Sequence, residues 1–407
     1  MGAFIVEGGA RLCGRVAVSG SKNAALPVIF ASLLSRGKSR IVNLPDITDV
    51  STALELIALF GAEISRKGSV TVINSENVRY TVPPPGLTER IRASTYLIGA
   101  SLSRFSRAEL GSFGGCAFGP RPIDMHLECA ELFGAVRDGD TLTVDSARPF
   151  SVSFRQRSVG ATVNALIMAS AAPGESRIYG GACEPHIDTL ISFLRSMGAE
   201  IEVMDGVISV RGGELYGGEV TVPGDMIEAG TFLALSLLNG GCVEVEGAKG
   251  EELLGFLSPF ISSGAAPLRS CGAYSLHGAP SSPVHITTEP YPGFPTDLQP
   301  IAAPMLALHK GGSITDTVWR GRYGYLSELG KMGVEYEISD NTALIKPSVL
   351  NPASVRALDL RGGAACLLAA LMAKGESRIS DGELLFRGYE NLTEKLTAIG
   401  GKIRYER

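Results

Sequence analysis

The sequence predicts an α/β protein of two globular domains, built from six repeated α/β units with three units in each domain. First, a glycine ends an amphipathic helical pattern six times, at spacings of 73, 64, 66, 69 and 67 residues: Gly61, Gly134, Gly198, Gly264, Gly333 and Gly400. Second, a turn followed by a strand recurs in the same five letters at 174–178 and 375–379. Third, each unit has a helix without a polar face, such as 161–172, and such a helix must be buried on all sides.

The first unit shows the elements in order. Residues 24–34 are apolar almost all round and predict a buried helix, and 37–42 predict a turn and a strand. Apolar residues between 50 and 58 share one helical face, and Gly61 is the expected C-terminal cap of that helix. Residues 69–73 predict the next strand. We therefore expect buried helices in the middle of each domain, with sheets and amphipathic helices outside them.

The ends of the chain predict how the domains are divided. The sixth unit stops short of its closing strand, whereas residues 4–6 and 15–18 read as strands with no helix before them. The N-terminal strands are therefore expected to complete the C-terminal domain. The predicted domains are 22–223 and 1–21 plus 224–407, with a cleft between them and a two-segment hinge.

Composition narrows the class of protein. The chain has 37 basic and 42 acidic residues, a net charge of −5, which argues against a nucleic-acid-binding protein. Its seven cysteines lack metal-ligand spacing and fit a reduced, cytoplasmic protein. We find no signal peptide, no apolar run near the roughly 20 residues of a membrane span, and no Walker or GxGxxG motif. The sequence thus predicts no cofactor, no metal and no membrane partner, and leaves the oligomeric state open.

Residues 113–121 contain three glycines, Cys116 and Arg121, with no helical or strand periodicity. This density of glycine is typical of a mobile loop, and the longest repeat spacing contains it. We interpret the segment as a lid over an anionic substrate, with a thiol whose pKa nearby cations can lower. The alternative is a solvated turn with an incidental cysteine.

Polar residues interrupt the repeat where each buried helix begins: Lys22, Asn23, Arg92, Ser158, Gly160, Asp225, Glu228, Thr296, Asp297, Asp359 and Arg361. Helix N-termini attract anions, so together with Arg121 and Arg387 they predict a site for a polyanion. Helix capping is the alternative for Ser158, Thr296 and Asp297.

Cations do not cap helix N-termini, so Lys22, Arg92 and Arg361 each require an anionic partner. Asp297 is a candidate general base in such a site. His126 is expected to be a structural histidine.

Six segments resemble the UDP-N-acetylglucosamine enolpyruvyl transferases, the 1-carboxyvinyltransferase family commonly called MurA: residues 19–27, 114–126, 158–162, 293–299, 359–361 and 387–390. They occur in order along the whole chain. The Lys22–Asn23 pair and the cysteine loop distinguish this family from its fold relative EPSP synthase.

The resemblance implies a two-domain inside-out α/β barrel. It also implies transfer of the enolpyruvyl group of phosphoenolpyruvate to the 3′-hydroxyl of UDP-N-acetylglucosamine, with release of phosphate. This is the first committed step of peptidoglycan precursor synthesis. A different hydroxyl acceptor, or a catalytically weak regulatory paralogue, is the alternative.

The resemblance also implies roles for single residues. Lys22, Arg121 and Arg387 would hold phosphoenolpyruvate, and Asn23, Arg92 and Asp297 would contact the amino sugar. The uridine and diphosphate site would include Pro122, Ile123, Asp124, Met125, Ser158, Gly160 and Val318, and Arg361 would also bind substrate. Cys116 would act as or near the acid and be the target of fosfomycin, and Asp297 would be the base.

The chain departs from the family pattern at three places. Residues 317–323 replace a segment that usually reads Phe-Glu-Asn-Arg-Phe, and Leu385–Phe386 replaces Ile-Asp. Met226 stands where arginine is common.

Overall fold

The computed structural model describes residues 2–115 and 121–407, so Cys116 and the centre of the predicted lid lie outside the described residues. The described residues divide into two compact units. The C-terminal unit contains residues 2–19 and 224–407, and the N-terminal unit contains residues 20–115 and 121–223. Each unit has its own hydrophobic core.

The helices without a polar face lie at the centre of each unit and pack on one another. They are Lys22–Ala31, Tyr96–Phe105 and Val159–Ala171 in the N-terminal unit, and Met226–Leu238, Gln299–Ala307 and Leu360–Met372 in the C-terminal unit. Amphipathic helices cover them: Thr48–Leu59, Asp124–Phe133, Pro185–Ser196, Gly250–Ser262, Tyr325–Lys331 and Leu392–Ala398. Short helical turns lie at Ser32–Leu34, Pro85–Thr88, Arg92–Thr95, Thr296–Leu298 and Gly382–Arg387. The predicted arrangement of buried and amphipathic helices is confirmed.

Six small sheets surround these helices in the described part of the chain, and none of them closes into a barrel. In the N-terminal unit, the first sheet has the strand order Glu219–Thr221, Lys38–Val42, Val70–Asn74, Glu63–Lys67. The second has the order Arg107–Glu109, Thr141–Val144, Ala135–Asp138. The third has the order Glu200–Met204, Val207–Gly212, Gly174–Tyr179, Ser151–Ser153. In the C-terminal unit, the first sheet has the strand order Ala266–Ser270, Ala273–His277, Val243–Glu246, Gly14–Ala17. The second has the order Val284–Thr288, Gly312–Asp316, Thr342–Ile345, Tyr336–Ser339. The third has the order Ser354–Arg356, Gly375–Ser380, Ala3–Gly8, Lys402–Glu406.

The six glycines that define the repeat all adopt left-handed backbone conformations, with φ between +93° and +116°. A residue with a Cβ is strained in this region, whereas glycine is not, so glycine ends helices here at little cost. The sixfold repeat in the sequence therefore corresponds to a turn that occurs six times and joins an outer amphipathic helix to the strand after it.

The N-terminal segment belongs to the sheets of the C-terminal unit. Strand Ala3–Gly8 lies antiparallel between Gly375–Ser380 and Lys402–Glu406, and Gly14–Ala17 lies parallel to Val243–Glu246. The fourth strand that the last repeat lacks is thus supplied by the first residues of the chain.

Across residues 2–115 and 121–407, no helix is long and apolar enough to cross a membrane. Within the same ranges, no three acidic, histidine or cysteine side chains gather as a metal site would require.

Candidate active site

In the C-terminal unit, Asp297 lies between two buried guanidinium groups. Its Oδ1 accepts hydrogen bonds from both terminal nitrogens of Arg322 at 3.0 Å, and its Oδ2 accepts from Nε and a terminal nitrogen of Arg361 at 3.3 Å. The side chains of Arg322 and Arg361 are 5% and 2% exposed, whereas that of Asp297 is 31% exposed. The carboxylate is therefore held in place by two arginines and is partly exposed.

Arg361 is held in place by the start of its own helix. Asp359 caps the helix by accepting from the backbone N–H groups of Arg361 and Gly362, both at 2.9 Å. The guanidinium lies over the ring of Tyr389, 5.4 Å from the centroid. Burial opposes its charge, but Tyr389 and Asp297 outweigh burial and raise the pKa of Arg361. The anionic partner that the sequence analysis required for Arg361 is thus at least partly the carboxylate of Asp297.

Arg322 is a site residue that the sequence analysis missed. It follows strand Gly312–Asp316, and its guanidinium also donates to the Thr296 hydroxyl at 3.1 Å. A signal was present: segment 317–323 differs from the Phe-Glu-Asn-Arg-Phe pattern around this position but keeps the arginine.

Asp316 organises the loop that carries Val318. Its Oδ1 accepts from the backbone N–H groups of Val318 at 3.0 Å and Trp319 at 2.9 Å, and its Oδ2 accepts from Thr296 at 2.8 Å. The N-cap positions of Thr296–Leu298 and Gln299–Ala307 are Pro295 and Leu298, so neither Thr296 nor Asp297 is an N-cap residue. The capping alternative is therefore wrong for both, because each side chain is bound by a more distant segment.

In the N-terminal unit, Lys22 begins the first buried helix and its ammonium lies 3.3 Å from the Asp49 carboxylate. The two side chains are 13% and 4% exposed. Asp49 lies in the first turn of Thr48–Leu59, where a negative charge is favourable. Half-buried Asn23 follows Lys22 in the same helical turn.

Arg92 and Arg121 form a second cationic group in this unit. Arg92 donates to the backbone carbonyl of Arg121 at 2.6 Å. Burial, and then the charge of Arg121, lower the pKa of Arg92 to about 10. A Cβ on Gly115 would lie 2.8 Å from the Arg121 guanidinium, so glycine lets the backbone approach these cations closely.

Residues 122–125 lead from Arg121 into the helix Asp124–Phe133. Pro122 is exposed, Ile123 is half-buried, and Met125 is in the core. The Asp124 carboxylate pairs with Arg155, a partner that the sequence did not indicate.

Ser158 caps Val159–Ala171 by accepting from the backbone N–H of Ala161 at 3.3 Å, so its capping role is confirmed. Gly160 lies against His126, because a Cβ there would be 2.8 Å from the imidazole. Asn164 of the same helix donates to Nδ1 of His126 at 2.8 Å and accepts from the backbone N–H of Gly99 at 2.7 Å. His126 is therefore a satisfied structural histidine, as predicted.

Replacing His126 by asparagine should flatten the acid limb of the stability curve of the N-terminal unit. Burial, and then the charge of Arg92, lower the pKa of His126 from 6.5 to about 4. The unfolded chain therefore binds the extra proton first, and about 3 kcal/mol of folding stability is lost as pH falls from 6.5 to 4. Denaturant unfolding at several pH values measures this slope. An equal slope in the wild type and the His126→Asn variant would contradict the assignment.

The remaining predicted residues lie in the C-terminal unit. Arg387 is half-buried at the end of the turn Gly382–Arg387, and Val318 is half-buried in the loop after strand Gly312–Asp316. Asp225 caps the helix Met226–Leu238 through the backbone N–H groups of Ile227 and Glu228, so Met226 is its first residue.

The replacement of Ile-Asp by Leu385–Phe386 has a packing consequence. Leu385 is fully buried, and the ring of Phe386 lies 5.6 Å from that of Phe4 and 4.8 Å from that of Tyr405. Where the family pattern has a carboxylate, this chain has the ring of Phe386, which packs against one ring from strand Ala3–Gly8 and one from strand Lys402–Glu406.

Comparisons with known proteins show which families the chain is similar to. The family described as EPSP synthase (3-phosphoshikimate 1-carboxyvinyltransferase) matches residues 6–396. The UDP-N-acetylglucosamine 1-carboxyvinyltransferase of Chlorobium limicola is 38% identical, over 100% of this chain and 99% of that protein. UDP-N-acetylglucosamine 1-carboxyvinyltransferase 2 of Lactococcus lactis is 35% identical, over 99% of each.

Solved structures extend the likeness to the whole fold. The enolpyruvyl transferase NikO from Streptomyces tendae matches with a TM-score of 0.87 and 25% identity, over 100% of this chain and 99% of that one. The EPSP synthase of Acinetobacter baumannii matches over the full length of both chains with a TM-score of 0.73 and 16% identity, which supports the fold alone.

Proposed function

This chain belongs to the EPSP synthase family of carboxyvinyl transferases, and from that premise we propose that it transfers the enolpyruvyl group of phosphoenolpyruvate to the 3′-hydroxyl of UDP-N-acetylglucosamine. Phosphate is released, and the product is the first committed precursor of peptidoglycan. The observation that carries the proposal is the Asp297 carboxylate, which Arg322 and Arg361 hold in place and which is itself 31% exposed. Both substrates are metabolites of the cytoplasm, so the proposal places the reaction there.

Asp297 is the group that receives the proton of the attacking hydroxyl. Addition of an alcohol to an enol ether needs a base at the hydroxyl and an acid at the vinyl carbon. Two guanidinium groups hold the carboxylate in one orientation, so Arg322 and Arg361 act as positioning residues, and Arg361 is also proposed to bind substrate. We assign the acid role to Cys116, or to a group that it assists.

Lys22, Arg121 and Arg387 are proposed to bind the carboxylate and phosphate of phosphoenolpyruvate. Fixed cations stabilise the negative charge of a tetrahedral intermediate without reorganising during the reaction. Asn23 and Arg92 would contact the amino sugar. The uridine and diphosphate would lie along residues 122–125, Ser158, Gly160 and Val318.

The proposed domains are 22–223 and 1–21 plus 224–407.

A phosphate-release assay with phosphoenolpyruvate and UDP-N-acetylglucosamine tests the proposal. Release that depends on both compounds, together with a carboxyvinyl ether product seen by mass spectrometry, is the expected result. Release only with another hydroxyl acceptor would show a different substrate. Binding of the sugar nucleotide without any release would favour a regulatory paralogue.

Cys116 should be alkylated by fosfomycin, because an epoxide is opened by a thiolate held near cations. We expect a covalent adduct on Cys116, formed faster when UDP-N-acetylglucosamine is present, and a matching loss of activity. Intact-protein mass spectrometry and peptide mapping measure the adduct. The Cys116→Ser variant is the control and should gain no mass; an unmodified Cys116 in the wild type would contradict the prediction.

A further inference from the structure

Two cysteines lie side by side on a sheet of the C-terminal unit. Strands Gly14–Ala17 and Val243–Glu246 run parallel with Gly14 opposite Val243, and Cys13 and Cys242 immediately precede them. The backbone N–H of Gly14 donates to the carbonyl of Cys242 at 3.0 Å. Neighbouring strands are about 4.8 Å apart, within the roughly 4.4–6.8 Å between Cα atoms that a disulfide spans.

The next pair along the strands shows that the two thiols share one face. Side chains alternate along a strand, so Cys13 points the same way as Arg15, and Cys242 the same way as Glu244. Arg15 and Glu244 form an ion pair of 2.7 Å across the strands. In keeping with this, the thiol of Cys13 hydrogen-bonds to the sulfur of Cys242.

The charge around the pair distinguishes the two sulfurs. The Arg11 guanidinium donates to Sγ of Cys242 at 3.0 Å. The hydrogen bond that Cys242 accepts from Cys13, and then the one from Arg11, lower the pKa of Cys242. The hydrogen bond between the two thiols raises the pKa of Cys13. Cys242 is therefore the more acidic thiol and Cys13 the less acidic neighbour, the arrangement of a reactive cysteine beside a resolving one.

Other cysteines differ in environment. Burial raises the pKa of Cys129 and of Cys366 to about 12, which makes them inert. Arg157 contacts Cys183 at 3.3 Å much as Arg11 contacts Cys242, but the pKa of Cys183 is raised, chiefly by its burial. Cys183 is thus a natural control for an arginine–thiol contact.

We propose that Cys13 and Cys242 are a peroxide-sensitive dithiol that closes reversibly to an intramolecular disulfide. The Cys242 thiolate attacks one oxygen of hydrogen peroxide, the O–O bond breaks, and the leaving hydroxide takes a proton to become water. The sulfur of Cys13 then attacks the sulfenic acid of Cys242, the S–O bond breaks, and the thiol proton leaves with hydroxide as a second water. Two thiols lose two electrons and two protons, and one peroxide becomes two waters. A dithiol reductant reverses the change by thiol–disulfide exchange.

The experiment exposes the full-length reduced protein to increasing hydrogen peroxide and then blocks the remaining thiols with an alkylating reagent. We expect a loss of about 2 Da in the intact mass before blocking, the loss of two alkylation sites, and a cross-linked peptide that joins Cys13 to Cys242. Dithiothreitol should restore both sites. Protection of any other pair, or full alkylation of Cys13 and Cys242 at a peroxide dose that oxidises Cys183, would overturn the proposal.

Single variants separate the two sulfurs. In Cys13→Ser, the oxidation of Cys242 should stop at a sulfenic acid that a 1,3-diketone probe traps, with no 2 Da loss. In Arg11→Met, disulfide formation should slow several-fold, because less of Cys242 is thiolate, whereas Arg157→Met should leave the rate unchanged. A disulfide in Cys13→Ser, or equal rates in Arg11→Met and the wild type, would contradict the assigned roles. The melting temperatures of the reduced variants check that each one is folded.

Discussion

Replacing Asp297 by asparagine should lower the turnover number by roughly 10²- to 10⁴-fold, the range that a positioned general base contributes. Asparagine keeps the size of the side chain but cannot take the proton of the attacking hydroxyl. The Michaelis constant for phosphoenolpyruvate should change much less, because Lys22, Arg121 and Arg387 remain. Steady-state phosphate release measures both constants.

The same substitution should also destabilise the C-terminal unit. It removes the carboxylate from Arg361, whose side chain is only 2% exposed, and breaking a buried ion pair costs about 3–5 kcal/mol. The double variant Asp297→Asn/Arg361→Met also removes one of the two buried guanidinium charges, leaving that of Arg322, and should recover part of the melting temperature. Turnover should stay low in both variants when each is assayed where it is folded. If turnover returned together with stability, Asp297 would be a structural residue and not the base.

Replacing Lys22 by methionine should lower kcat/KM for phosphoenolpyruvate by roughly 30- to several-thousand-fold, the equivalent of 2–5 kcal/mol for the loss of one partner of a buried charge pair. Lys22 also lies 3.3 Å from the carboxylate of Asp49, so a structural role must be separated from a substrate-binding one. Isothermal titration with phosphoenolpyruvate, in the presence of UDP-N-acetylglucosamine, reports binding without turnover.

The matched control is Asp49→Asn, alone and combined with Lys22→Met. If Lys22 binds phosphoenolpyruvate, Asp49→Asn alone should keep most of the activity, and the double variant should be as impaired as Lys22→Met. If Lys22 serves only to neutralise Asp49, the double variant should regain activity together with its melting temperature. The second result would remove Lys22 from the site.

The architecture was predictable because its signals are local. A helix that is apolar all round must be buried whatever its neighbours are, and Leu360–Met372 shows this. A glycine such as Gly61 marks a left-handed cap because few other residues tolerate φ of +93°. Both rules act within a few residues of the chain, so they need no knowledge of tertiary contacts.

The site was only partly predictable, because its partners are distant in sequence. Asp297 is bound by Arg322 and Arg361, which lie 25 and 64 residues further along the chain, and His126 is bound by Asn164. Helix position alone suggested capping for Thr296 and Asp297, and it was wrong because a strong cation from another segment competes for each oxygen. The sequence shows which site residues are charged, whereas their hydrogen-bond and ion-pair partners are known only from the tertiary structure.

The position of strand Ala3–Gly8 has a consequence for the order of events during biosynthesis. Both of its hydrogen-bonded neighbours, Gly375–Ser380 and Lys402–Glu406, are translated more than 360 residues later. At about 5–20 residues per second, this strand waits roughly 20 to 80 s after leaving the ribosome before either neighbour exists. The N-terminal unit is complete by residue 223 and can fold during that interval. Strand Ala3–Gly8 has no partner strand until then, so its apolar side chains stay exposed to chaperones.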